Sequence, residues 1–337
     1  MYKFTVFTLI LLIHVHTSKG QSKTADFEIT LPTGKTSHSL YRTIRMMDSR
    51  LDTTYMGIVQ LGMFNTRARV VPKTAFARQL QNVLNSLNDS TAGDGELLLQ
   101  LRQFSFAEIT KATSERGYCY LRVVLYAKAG DSYRRLDGID TVLVTKSMDV
   151  TKLSARKASN AFSDLIARNL TLAPAEGQDV YTDYSLTRLD SIEKRKITVY
   201  NKQQYTEGVY RSYDAFMNQA PTDTIQKVEY DNGVLSTIRI PGKKAKGEKL
   251  KSSEVYALVY QGTPYISTEF GYYPLEKKED DFYFVGLSRM APTTGDMVTA
   301  QIFFGILGGL LVTGDAVRFQ MKIDHISGGI VRIKQVY

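Results

Sequence analysis

Between Glu96 and Lys128 the sequence runs through two apolar stretches joined by a polar link, Thr110 to Gly117, and the remaining elements are arranged about them. In the second stretch Cys119, Leu121, Val123, Leu125 and Ala127 share one parity, while Tyr118, Tyr120, Arg122, Tyr126 and Lys128 take the other. A period of two with one apolar side describes a strand buried on one face. In the first stretch Leu97, Leu99 and Leu101 share a parity and Phe104 and Phe106 take the opposite one, so the ladder slips or bulges near Arg102 and Gln103. The pair is expected as an antiparallel hairpin that serves as a floor for helices on either side.

Upstream, Leu40, Arg42, Ile44 and Met46 alternate with Tyr41, Thr43 and Arg45, and Tyr55 to Leu61 gives a second strand. Pro72 stands where a helix would begin, and Phe76, Leu80, Val83, Leu84 and Leu87 follow at helical spacing. Downstream, Tyr133 to Lys146 predicts another strand. Thr151 is a plausible N-cap for a second helix traced by Ala155, Ala158, Phe162, Leu165 and Ile166. Periodicity then fades from Thr171 to Lys196. Beyond it, short alternating runs appear at 197–200, 224–230, 234–240, 254–260, 264–268, 282–287, 317–323 and 330–336, with one short helix at 213–219.

These patterns predict an α+β fold, an N-terminal antiparallel or mixed sheet with two helices on one face, followed by a mainly β second domain, a small barrel or strongly bent sheet. The expected boundaries are a signal peptide at 1–20, an extended arm at 21–35, the α+β domain at 36–170, a linker at 171–196 and the β domain at 197–337. A chain of 337 residues suits two domains of roughly 140 residues each.

The leader changes the picture most. Lys3 precedes an apolar run, Phe4 to Val15, too short to span a bilayer, and Thr17 to Gly20 is small and polar, the layout of a secretory signal peptide cleaved before Gln21. No cysteine lies near that junction, so a lipoprotein anchor is not expected. The net charge of +9 falls by two when Lys3 and Lys19 are removed, leaving a basic protein. For such a chain the expected candidate partners are an anionic membrane, an acidic glycan surface or an envelope protein, the alternative being that the charge serves solubility. Export, rather than charge, argues against nucleic acid. The single Cys119 lies on the apolar parity and allows no internal disulfide.

Catalytic signatures are absent: no H-E-x-x-H, paired cysteines, P-loop, dinucleotide fingerprint or nucleophile elbow occurs. No catalytic, cofactor-binding or metal-binding residue is assigned and no cofactor is expected. His38 and His325 fall in different expected domains, and Asp324 beside His325 reads as a strand-end polar pair. Asp137 with Asp140, and Glu279 with Asp280 and Asp281, read as turn acids. Two features stand apart. Lys243, Lys244, Lys246, Lys249 and Lys251 crowd a loop of small residues and are candidate anion contacts, the alternative being a flexible solvated loop. Met297 to Val312 is almost wholly apolar, so Phe303, Phe304 and Leu307 are candidate membrane or partner contacts, the alternative being a buried hairpin.

The order and pattern from Leu40 to Leu170, with Asp48-Ser49-Arg50, the strand at 58–62, the helix through Leu80 and Leu87, the two central strands and the closing helix through Ala158 and Ile166, resemble the exported α+β domains of the YajG-like and ABC-transporter-auxiliary group. The segment from Gly208 through Tyr213 and Phe216 to Pro221 is similar to one in uncharacterised secreted proteins of the Bacteroidota. Both resemblances imply a compartment and transfer no catalytic residue. The expectation is an exported, non-enzymatic binding or cell-envelope accessory protein. The alternatives are a glycan or peptide hydrolase with a carboxylate pair in an interdomain cleft, and an envelope assembly component docking through 297–312.

Overall fold

The computed structural model describes residues 23–62, 64–111, 114–147, 149–177, 179–243, 245–289 and 315–337. The expected signal peptide, Lys244, and the 297–312 run with Phe303, Phe304 and Leu307 lie outside these residues.

The first half contains β1 (Lys23–Phe27), β2 (Tyr41–Asp48), β3 (Ile58–Leu61), β4 (Thr66–Pro72), α1 (Phe76–Leu87), β5 (Gly95–Lys111), β6 (Ser114–Ala129), β7 (Ser132–Lys146) and α2 (Val150–Ala167). The stretch expected as a linker carries β8 (Val180–Tyr181), α3 (Asp183–Thr187) and α4 (Leu189–Lys194). Strands β2-β5-β6-β7-β8 form one sheet, with β2 parallel to β5 and the rest antiparallel, while β1-β4-β3 form a second, three-stranded sheet. The register of β5 on β6 shifts between Leu101 and Gln103, so the bulge implied by the parity change sits at Arg102. Because of it, Leu97, Leu99 and Leu101 and then Phe104 and Phe106 all reach one core. There they meet Cys119, Leu121, Val123 and Leu125 of β6, apolar residues of α1 and α2, and Phe27, Val59 and Val70 of the small sheet.

Side chains of α1 also tie down its surroundings. Gln79, buried, accepts from Ile29 N at 2.8 Å and donates to Phe27 O at 3.2 Å, which holds the expected N-terminal arm against the domain. Gln81 accepts from Ile44 N and donates to Arg42 O, both at 3.0 Å, and so occupies the outer edge of β2, which a neighbouring strand could otherwise extend.

The second half comprises α5 (Thr198–Asn201), β9 (Gly208–Tyr210), α6 (Tyr213–Met217), β10 (Lys227–Asp231), β11 (Val234–Ile240), β12 (Glu248–Lys249), β13 (Ala257–Tyr260), β14 (Thr263–Thr268), β15 (Gly271–Pro274), β16 (Glu276–Lys278), β17 (Asp281–Arg289), β18 (Ala316–Ile323) and β19 (Ile330–Gln335). The seven-stranded sheet runs β10-β11-β15-β14-β13-β9 with β12 beside β11, and a four-stranded sheet runs β16-β17-β18-β19. One core gathers Val199 of α5 and Phe216 of α6 with Val259, Phe282, Phe284 and Phe319 of the two sheets, and a second gathers Leu235, Ile238, Leu250, Leu258 and Tyr272.

The expected α+β class, with two helices on one face of an N-terminal sheet, is corrected. Among the described residues strand outnumbers helix, 47% against 19%, which makes them mostly β. Its first half holds two sheets rather than one, and the helical residues share their core with both. The physical reason lies partly in β4, where Ala68 and Val70 alternate with Arg67 and Arg69 over only a few residues, and Pro72 closes that strand instead of opening a helix. Two smaller corrections follow the same logic. The N-cap of α2 is Asp149, which accepts from Lys152 N at 3.1 Å, while the Thr151 hydroxyl donates to Glu108 Oε1. Residues 197–200, expected as a strand, instead lead into and fall within α5, with Ile197 as its N-cap.

Candidate functional site

The candidate site is built where the outer face of β5 and β6 meets α4 and the turn between β18 and β19. Before the bulge Leu98, Gln100 and Arg102 share the parity that faces away from the main core. Leu98, Val124 and Tyr126 form a small apolar seat for Leu186 of α3, and Gln100 Nε2 donates to Leu186 O at 3.1 Å and Ser49 Oγ at 3.0 Å. With α3 so placed, α4 lies over the two arginines.

Each arginine is buried and forked onto a carboxylate. Arg102 donates through Nη1 to Glu193 Oε1 at 2.7 Å and through Nη2 to Glu193 Oε2 at 2.8 Å and Asp190 Oδ1 at 2.6 Å. Arg122 donates through Nη1 and Nη2 to the two Asp324 oxygens at 3.1 and 2.8 Å, and through Nε to Asp140, its register partner on β7, at 2.9 Å. His325 Nε2 lies 2.8 Å from Glu193 Oε2. Lys194, also buried, turns the other way and meets Asp281 of β17 at 2.7 Å, with Lys322 3.5 Å from the same residue. The six-residue α4 therefore holds β5 with its carboxylates and β17 with its lysine.

The turn 324–329 is fixed from the second half. Tyr213 Oη donates to His325 O at 2.6 Å and Tyr256 Oη to Gly328 O at 2.8 Å. Asp324 N donates to Gly329 O and Gly328 N returns to Asp324 O, both at 2.8 Å. Gly328 has φ +72°, and a Cβ there would fall 2.2 Å from Tyr213 Cγ, so only glycine fits.

The electrostatics follow from this geometry. Burial works to raise the Glu193 carboxyl, but hydrogen bonds from His325 and Arg102 outweigh it and hold it down at about 2. Burial opposes ionisation of Asp324 as well, and Arg122 overrides it, holding that carboxyl well below the usual range. The Arg122 guanidinium, penalised by its own burial, is held charged by Asp324.

Between these groups lies a cavity of about 130 Å³, lined by Ser49, Leu51, Arg102, Gln103, Arg122, Asp190, Lys322, Ile323, Asp324, His325 and Val331. That is room for roughly four waters at ~30 Å³ each, and well under the ~300 Å³ of a small-molecule pocket. Ligand atoms of Asp190, Glu193 and His325 lie within 4.8 Å of one another, a spacing that could suit a metal. The Arg102 guanidinium already fills the place a cation would take between the two carboxylates, and a donor set closed on an arginine does not fit a resident metal. The arrangement can join the halves through opposed charges, and its arginines hold the Glu193 and Asp324 carboxyls below their ordinary range rather than raised toward neutrality.

The residues singled out from the sequence fall in several places. His325 and Asp324 reach the junction and diverge, one to α4 and one to β6. Asp140 and Asp281 reach its edges, whereas Asp137 pairs with Arg168 at 2.7 Å, and no carboxylate dyad forms from these acids. His38 lies at the turn before β2. Lys243, Lys246, Lys249 and Lys251 are exposed on and around β12, beside β11 of the seven-stranded sheet. Arg102, Arg122, Asp190 and Glu193 were not singled out. The signal that could have found them is a charged residue at a bulge or inside an otherwise apolar strand.

Among the described residues, no helix is long and apolar enough to cross a membrane. No family model matches the chain, and no curated protein matches it. Among solved structures, a protein of Xanthomonas campestris from the DUF330 family is similar to 44% of this chain over 95% of its own length, at 9% identity and a TM-score of 0.29, a likeness too low to carry an argument.

Proposed function

We propose that the mature chain is an exported, non-enzymatic binding or cell-envelope accessory protein. The observation that carries this reading is the junction cavity. Its acids and bases are engaged with one another across the two halves, and Glu193, the most enclosed acid of α4, is held at about 2. A glycoside hydrolase needs one carboxyl raised toward neutrality and a second placed to act as nucleophile or base across the bond. Here the two closest acids are held by one arginine, which favours binding over turnover. The short basic-then-apolar leader, the single cysteine and the resemblance to exported auxiliary domains support export.

The test is fractionation of the native host, following the mature protein through soluble periplasm, membrane pellet and medium, with a high-salt wash of the pellet. An accessory protein held by charge pellets and is released by salt. Release by detergent alone favours the assembly reading through 297–312. Turnover of a glycan, ester or peptide substrate, abolished by Glu193→Gln in a folded protein, overturns the non-enzymatic reading.

A further inference from the structure

The basic residues of the seven-stranded sheet are arranged in a way that stability alone does not favour. In the register of its outer strands Lys227 stands opposite Arg239, and Arg239 stands opposite Lys249. Directly paired residues share a face, so three cations line up across β10, β11 and β12, and like charges in that position are destabilising. Glu229 is shared between two of them, 3.2 Å from Lys227 and 3.3 Å from Arg239. The loop's own acid, Glu248, pairs with Ile240 and so lies on the opposite face. Lys243, Lys246, Lys249 and Lys251 are exposed and form no ion pair among the described residues.

The lysines are displayed on a pinned backbone. Leu250 is buried with Ile238 and Ile240, and its N–H donates to Ile238 O at 3.1 Å. Gln226 Nε2 donates to Ala245 O at 3.1 Å. Gly247 has φ +70°, and a Cβ there would come within 2.6 Å of Ile240 O. Lys243, Lys246 and Lys251, without an ion pair among the described residues, are thus carried beside the row that Lys249 ends, on a loop anchored on both sides.

We infer that this face docks on an anionic phospholipid surface, the lysines meeting headgroup phosphates. Between Pro241 and Ser253 there is no aromatic residue, and the one large apolar side chain, Leu250, points into the core. Protein interfaces draw on aromatic and arginine anchors and are depleted in lysine. Lysine ammonium groups are mobile point charges on long stems, suited to a fluid array of phosphates rather than to one fixed carboxylate. The inference rests on the accessory reading above for the compartment in which such a surface is met.

The experiment uses the purified mature chain with phosphatidylcholine vesicles, with and without phosphatidylglycerol, read by co-sedimentation. Compared with it are Lys243→Gln/Lys246→Gln/Lys249→Gln/Lys251→Gln and a control of equal charge change, Lys23→Gln/Lys146→Gln/Lys202→Gln/Lys334→Gln. Circular dichroism verifies that all three are folded. Binding is expected with phosphatidylglycerol only, weakened about fivefold for each loop lysine removed and retained in the control. No binding to anionic vesicles, or equal loss in both variants, overturns the inference, as does binding only to acidic protein from the envelope. Should the wild type and the loop variant pellet equally with native envelopes, the accessory reading stands and this face is removed from it.

Discussion

Two regions of this protein handle positive charge in opposite ways. At the junction Arg102 and Arg122 lie buried, and each nitrogen of their forks that meets an acid does so at hydrogen-bond distance. On the β10–β11–β12 face Lys227 and Lys249 are exposed and Arg239 between them is half-buried; the three stand in a row, and Lys227 and Arg239 share one carboxylate. A buried pair is poorly screened by salt and penalises the loss of either member, whereas exposed lysines contribute little to folding and remain available to a partner. The comparison separates charge that joins the two halves from charge that faces outward.

The sharpest way to break it is Arg122→Met. That change leaves Asp324, held in the junction, without its bidentate partner, and uncompensated buried charge is strongly destabilising. The expected loss is about 3 kcal/mol in urea denaturation at neutral pH, with part of it regained in Arg122→Met/Asp324→Leu, where an apolar pair replaces the ionic one. A loss no larger than that of an exposed pair, roughly 0.5 kcal/mol, would erase the distinction between the two regions.

The next effect is acid sensitivity. A carboxyl held below its ordinary value stabilises the fold at pH above that ordinary value, and the contribution disappears as pH falls toward the value in the folded state. For Glu193 the window runs from 4.5 down to about 2, and Asp324 acts in the same direction. Urea midpoints should therefore drop across this window in the wild type. In Glu193→Gln the midpoint starts lower at neutral pH and drops less, since one of the titrating groups is gone. Equal drops in the two proteins would show that His325 and Arg102 do not hold Glu193 as the structure has it.

The two regions also differ in how far the sequence discloses them. The central hairpin and its bulge are legible because parity is local: Leu101 and Phe104 fall on the wrong phase for an unbroken strand, and the register shift is found between them. The loop lysines are legible as a cluster within nine residues. The junction is not, because the partners of Arg122 lie 18 and 202 residues away, and Asp190 and Glu193 sit in a stretch whose faded periodicity reads as a linker. A charge inside an apolar strand says that a partner is needed without naming it. The mistaken fold class has a related cause. Strong helical spacing in α1 and α2 points toward an α+β domain, while β1 and β4, with only short apolar runs, leave β3 as the one legible strand of the second sheet in the first half.

The smallest effect is expected at the loop, and its smallness is what sharpens the comparison. Replacing Lys243, Lys246, Lys249 and Lys251 by Gln removes four exposed charges with no ion-pair partner among the described residues, and leaves Leu250, Gly247 and Gln226 to hold the backbone. Surface changes of this kind shift stability by no more than ~0.5 kcal/mol per site, and relief of the Arg239–Lys249 repulsion acts toward stabilisation. The quadruple variant should therefore match or slightly exceed the wild type in urea denaturation at low salt, with the difference fading as salt is added. A marked loss of stability would mean that the lysines hold the loop together and belong with the junction charges. An unchanged or raised midpoint leaves their crowding unexplained by folding, and leaves an anionic surface as the reason they stand where they do.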